Sequence, residues 1–266
     1  MRADGRLLAD RLLEELGDRI AASSDVPGTL ATLVVDDDAR SHRQAALKHR
    51  ACERVGLRWR EVALPSAAST ARVCAAVREV AAVADGVFVH LPMPSHVDVE
   101  QVVAALPPGK DIDGLVPASP FVAASATGTL DVLRAYEVRL TAGLAQSRVV
   151  VLGDRSPLVR GLERLLGAEV AAVTTVGPEQ DGAAAASRAA DVVVAAGYRP
   201  GFLTGDWVRD GAAVVDAASG DVDADSVAPR AGLLCASPGG IGPLTVARLL
   251  TATHAAATGR VGTLEG

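Results

Sequence analysis

The chain has 266 residues, 49% hydrophobic but only 3% aromatic, and a net charge of −6. That length suits one large or two modest α/β domains, and the negative balance, with no basic run, argues against a nucleic-acid surface. Cys52, Cys74 and Cys235 are far apart, with no CxxC or Cys/His cluster, so neither metal nor disulfide is expected, and without a signal-peptide core or a bilayer-length apolar run a cytoplasmic protein follows.

Leu7, Leu8, Leu12, Leu13, Leu16 and Ile20 make a helical stripe, which predicts a first helix over residues 5–22. A buried strand over 30–35, a helix over 40–55 ending at Gly56, a strand over 59–64, a helix over 69–82 and a strand over 86–91 follow. This rhythm predicts parallel strands with crossover helices. Pro-rich punctuation at 91–94 and 107–109 leads to a turn at Gly114, and a helix is expected over 127–136. A second α/β rhythm then begins: strands over 148–152, 169–175, 191–196, 212–216 and 232–235, with helices over 158–166 and 182–190. The string Pro238-Gly239-Gly240-Ile241-Gly242-Pro243 reads as a rigid turn before a last helix over 244–257.

On the helix over 40–55, Ser41, Gln44/Ala45, Lys48, Ala51/Cys52 and Val55 share one stripe, and the charged residues fall elsewhere. Lys48 is therefore expected on the small, apolar side, partly desolvated or facing a cleft. The chain has 26 Lys+Arg, of which only Lys48 and Lys110 are lysines. Arginine stays protonated, whereas a desolvated lysine can trade a proton near neutrality, so Lys48 is the leading catalytic candidate.

Several motifs together resemble the bifunctional methylenetetrahydrofolate dehydrogenase/cyclohydrolases. The acidic run Asp36-Asp37-Asp38 followed by Ser41, Lys48 and Gly56-Leu57 is similar to the family's first signature, with Gln44 where the family has Tyr. The segment His90-Leu91-Pro92-Met93-Pro94 resembles Gln-Leu-Pro-Leu-Pro, with His90 replacing the Gln that works with the Lys. Lys110-Asp111-Ile112-Asp113-Gly114 resembles Lys-Asp-Val-Asp-Gly, and residues 237–245 resemble the Gly/Pro string that closes over the active site. The resemblance implies Lys48, His90 and Gln44 as catalytic residues. It implies substrate contacts from Asp113, on the folate pterin, and from Ser41, Pro238, Gly239 and Gly240. Glycines there allow close backbone approach to a ligand.

A strand, a glycine turn and a helix start at Gly153-Asp154-Arg155-Ser156 resemble the family's dinucleotide cradle, and the resemblance implies cofactor contacts from Gly153, Arg155 and Ser156, with Arg160 either crowding the pyrophosphate or donating to a phosphate. Arg160 stands at a family Gly, Leu162 at a family Pro, and the polar pair usual near Gly177 is missing, which implies weakened cofactor contacts. The expected fold is α/β, with two domains facing a cleft. Residues 1–119, completed by a C-terminal helix over 244–266, form the folate domain, and 120–243 form a Rossmann-like NAD(P)-binding domain. The expected function is interconversion of 5,10-methylene-, 5,10-methenyl- and 10-formyltetrahydrofolate with NADP, or NAD, in a homodimer without nucleic-acid or membrane partners. Two alternatives stay open: a specialised paralogue with Lys48-dependent hydrolysis but weak or lost redox activity, and a non-catalytic folate-binding protein.

Overall fold

Short apolar runs alternating with longer amphipathic ones build two parallel sheets. The computed structural model describes residues 1–23, 26–218 and 220–260, with Ala39 and Arg40 described for backbone only. The chain divides into two compact units, one of residues 10–122 with 246 onward, the other of 1–9 with 123–245. Among the described residues no helix is long and apolar enough to cross a membrane.

α1 (Gly5–Ala22) begins in the second unit and continues into the first. The first unit then runs β1 (Thr29–Val35), α2 (Ala39–Val55), β2 (Arg58–Leu64), α3 (Thr70–Ala81), β3 (Gly86–Val89) and α4 (Val99–Ala104), with a 3-10 turn at Pro108–Lys110. The strands lie in the order β2-β1-β3, all parallel. β1 is central and buried on both faces, which its unbroken apolar run requires. Ala31, Leu33 and Val35 pack with Val73 and Val77 of α3 and with Val87 and Val89 of β3. Burying each Val or Leu there contributes about 1.5–3 kcal/mol. Residues of opposite parity, Thr32 and Val34 on β1 and Phe88 on β3, project to the other face. α2 covers that face over β2, where His49 stacks on Trp59 at 4.2 Å and His42 meets Glu61 at 3.2 Å.

The second unit contains α5 (Ala124–Ala135), β4 (Arg148–Leu152), α6 (Pro157–Leu166), β5 (Ala172–Val176), α7 (Ala183–Ala189), β6 (Val192–Ala195), β7 (Ala213–Asp216), α8 (Ala224–Val227) and β8 (Leu233–Cys235), before α9 (Ile241–Ala257). Strand order is β5-β4-β6-β7-β8, all parallel. This is a doubly wound sheet whose order reverses between β4 and β6.

Three expectations are corrected. Residues 1–9 belong to the second unit, because Met1 and Ala3 pair with β8: Leu234 N–H donates to Met1 O at 2.8 Å and Ala3 N–H to Leu234 O at 2.9 Å. β5 starts three residues later than expected, since Glu169 and Val170 N–H groups close a turn on Leu166 O. α9 starts at Ile241 rather than 244, because Pro243 falls in the first turn, where a missing N–H costs nothing. α9 ends at Ala257, and the expected helical residues 261–266 lie outside the described residues.

Candidate active site

The site is built at the carboxyl ends of β1 and β3, where α2 lays Lys48 over the sheet. Ser41, Ala45, Lys48, Cys52 and Val55 are the buried line of α2, spaced by alternate steps of three and four. Lys48 is only 5% exposed. Its Nζ sits 4.3 Å from the centroid of the Phe88 ring and donates to Gln44 O at 3.5 Å. Desolvation pulls its pKa from 10.5 down to about 8, against the opposing charge of Asp113. The Gln44 side chain is exposed, so its contribution to the lysine is the backbone carbonyl.

His90 is the first residue past β3, and its N–H donates to Leu33 O at 2.9 Å. Its ring lies 6.2 Å from that of Phe88. Burial, then the nearby Lys48 charge, lower its pKa, while Asp36 pulls it upward. Asp36 occupies the matching place past β1. Its carboxylate accepts from Ser41 Oγ at 2.6 Å and from Asp38 N–H at 2.6 Å. These bonds, that of Ser41 first, hold its pKa below the usual value.

Asp113 and Asp111 divide the work of their loop. Asp111 is fully buried: its carboxylate accepts from Val116 N–H at 2.7 Å and its carbonyl from Ser119 Oγ at 2.7 Å. Burial still raises its pKa. Asp113, two residues on and half-buried, precedes Gly114, whose φ of 64° makes the turn. The structure thus brings Lys48, His90 and Asp113 into electrostatic contact, with Ser41 attached through Asp36. Sequence reasoning missed Phe88 and Asp36 as site residues. Alternation along β3 alone does not single out Phe88; its register opposite Thr32 puts it on the face that α2 covers.

The Gly/Pro string belongs to the second unit. Ser237-Pro238 is cis, Gly239 has φ 92°, and its carbonyl accepts from Gly5 N–H at 3.0 Å. A Cβ on Gly5 would lie 1.9 Å from Gly240 O, so this closeness needs glycine.

The turn after β4 lies at the point where the sheet order reverses, the usual place for a ligand in such folds. A Cβ on Gly153 would meet Ala196 O at 3.0 Å and Val159 Cγ2 at 3.1 Å, so the turn is drawn tight against the sheet. Ser156 Oγ caps α6 by accepting from Val159 N–H at 3.1 Å, with Pro157 at its first position. Arg155 and Arg160 are both exposed. The glycine that lets α6 approach its neighbour is Gly161, whose added Cβ would meet Ala126 at 2.9 Å. These features fit a dinucleotide phosphate at a helix start beside a cation. In the segment after β6, the Tyr198 hydroxyl meets Glu179, and Asp221 accepts from the N–H groups of Gly197 and Tyr198 at 2.8 and 3.0 Å.

Comparison with known proteins gives two family models. The tetrahydrofolate dehydrogenase/cyclohydrolase catalytic domain matches residues 3–113, and the NAD(P)-binding domain of the same name matches 123–261. The bifunctional protein FolD of Methanospirillum hungatei is 34% identical over 98% of this chain and 99% of its own. FolD 1 of Streptomyces avermitilis is 34% identical over 97% and 96%. Among solved structures, the Trypanosoma brucei methylenetetrahydrofolate dehydrogenase-cyclohydrolase complexed with NADP and inhibitor superposes with TM-score 0.89 at 28% identity, covering 98% of each chain. The Campylobacter jejuni FolD enzyme gives 0.87 at 25% identity, covering 98% of this chain and 99% of its own.

Proposed function

The chain belongs to the tetrahydrofolate dehydrogenase/cyclohydrolase family, and from that premise we propose how its own residues carry the family's two reactions. It is a one-carbon enzyme that interconverts 5,10-methylene-, 5,10-methenyl- and 10-formyltetrahydrofolate. The observation that carries the assignment of roles is the buried amine of Lys48 beside Asp113 and His90.

In hydrolysis, water adds to the methenyl carbon and must lose a proton, and the ring C–N bond then breaks as its nitrogen gains one. Neutral Lys48 takes the first proton from water and, as ammonium, returns it to the departing nitrogen, while the proton of the remaining hydroxyl is released to solvent as the formyl C=O forms. With a pKa of about 8, about a tenth of Lys48 is neutral at pH 7, against a few in ten thousand for an ordinary lysine. His90 stands close enough to share this traffic. Asp113 accepts the paired N–H donors of the aminopyrimidinone edge. Ser41 holds Asp36, whose charge acts on His90.

A bound NADP, or NAD, supplies the hydride acceptor for the oxidation. The protein holds it with the Gly153 turn, the Ser156-capped start of α6 and the guanidinium of Arg155, with Arg160 one turn along the helix. These features favour the bifunctional reading over a redox-silent paralogue. Absorbance at the methenyl-folate band tests both halves. Methenyl-folate should disappear faster than its spontaneous rate, and should form from methylene-folate when NADP is added. Hydrolysis without any dinucleotide-dependent formation would sink the redox assignment, and neither activity would sink both. We also place the protein in the cytoplasm as a homodimer formed through the five-stranded unit. Sedimentation velocity should give twice the 27.1 kDa chain mass, and a monomer would refute this.

A further inference from the structure

We propose that Phe88 is a positioning residue for Lys48, its ring face holding the ammonium in place at the carboxyl end of the sheet. This rests on the reading of Lys48 as the proton-transfer group. The register Thr32↔Phe88 fixes the ring on the face that α2 covers, and the 4.3 Å from Nζ to ring centroid is well inside cation–π range. The hydrogen bond from Nζ to its own helix, to Gln44 O, is long at 3.5 Å. A flexible four-carbon stem on a residue only 5% exposed needs something firmer to define the position of its charge, and the ring face supplies it.

The same ring stands 6.2 Å from the ring of His90, tilted by 60°, so Phe88 lies beside both titrating groups. The charged groups that face Lys48 are Asp113, from the loop after the 3-10 turn, and His90, from the end of β3. Asp36, past β1, acts on His90, while Glu61 of β2 is engaged by His42. None of these contacts substitutes for an apolar platform under the ammonium.

The test uses the full-length protein labelled with 13C at lysine Cε. Only Lys48 and Lys110 are lysines, so two signals appear and Lys110→Arg assigns them. The Lys48 ε protons should lie upfield of those of Lys110 through the ring current of Phe88. In Phe88→Leu that displacement should vanish, and the plateau kcat for methenyl-folate hydrolysis should fall about 10-fold with KM changed less than about threefold. The acid limb of the profile should move to lower pH, because the ring favours the charged amine. Phe88→Tyr keeps the ring and should keep both the displacement and, within about threefold, kcat. If the Leu variant does not fold, Phe88→Met removes the ring at similar volume. No upfield displacement in the unmodified protein would overturn the proposal. So would its loss in the Leu or Met variant without a fall in plateau kcat. Failure of the Lys48 assignment itself is seen separately, as hydrolysis that survives Lys48→Met.

Discussion

Replacing Lys48 by Met is expected to bring methenyl-folate hydrolysis down to its spontaneous rate. Met fills the same space under α2 but can neither take nor give a proton. Arg at this position should fail as well, because its charge survives while its proton cannot be exchanged at accessible pH. General acid–base groups contribute about 10²–10⁴-fold, and here one group serves both directions, so the loss should reach the upper end. Stability should move the other way. The folded pKa of Lys48 lies below its unfolded value, so folding works against the charged amine. That cost is fully present below pH 8 and fades as pH rises from about 8 towards 10.5. Lys48→Met should therefore stabilise the protein at pH 7, by about 3 kcal/mol at most, and gain little at pH 10.5. Denaturant unfolding at the two pH values checks the sign. A Met variant less stable than the parent at pH 7 would mean that the Phe88 and Asp113 contacts outweigh the desolvation.

Asp113→Asn should act mainly on substrate binding. A carboxylate accepts both N–H donors of a pterin edge, while an amide offers one acceptor and turns a donor against the second. The expected rise in KM is about 10- to 100-fold. The variant should still fold, because Asn keeps the size and shape of Asp and Asp111 closes the loop through Val116 N–H and Ser119 Oγ. Asp113 also holds the Lys48 pKa up, so its removal should shift the acid limb of kcat to lower pH. Steady-state kinetics across pH separates the two effects. Unchanged KM with a shifted limb would leave Asp113 as a charge partner of Lys48 and remove it from the folate.

Much of this arrangement was legible from periodicity. The buried line Ser41, Ala45, Lys48, Cys52, Val55 is the stripe that a 3.6-residue period picks out, and it places Lys48 inward without any structure. Gly114 announces a turn by residue type, and it occurs, with a φ of 64°. What stayed hidden depends on pairing between strands. Phe88 meets Lys48 only because β3 pairs in register with β1, and single-strand alternation does not say which face a helix will cover. Asp36 was visible as one of three aspartates, but its selection by the Ser41 hydroxyl is a matter of loop geometry. The pairing of Met1 and Ala3 with β8 spans more than 200 residues, far beyond any local pattern. α4 and α8 are short helices without amphipathic periodicity, held by Asp98 and Asp223 side chains on their first-turn N–H groups.

The most direct test of the central claim is the pH dependence of kcat for methenyl-folate hydrolysis by the unmodified protein, corrected for the spontaneous rate. If the desolvated Lys48 amine takes the proton from water, kcat should rise with a single limb centred near pH 8, and that limb should vanish in Lys48→Arg. A limb centred below pH 6.5 that persists in the Arg variant would contradict the account, and would assign the proton transfer to His90 instead.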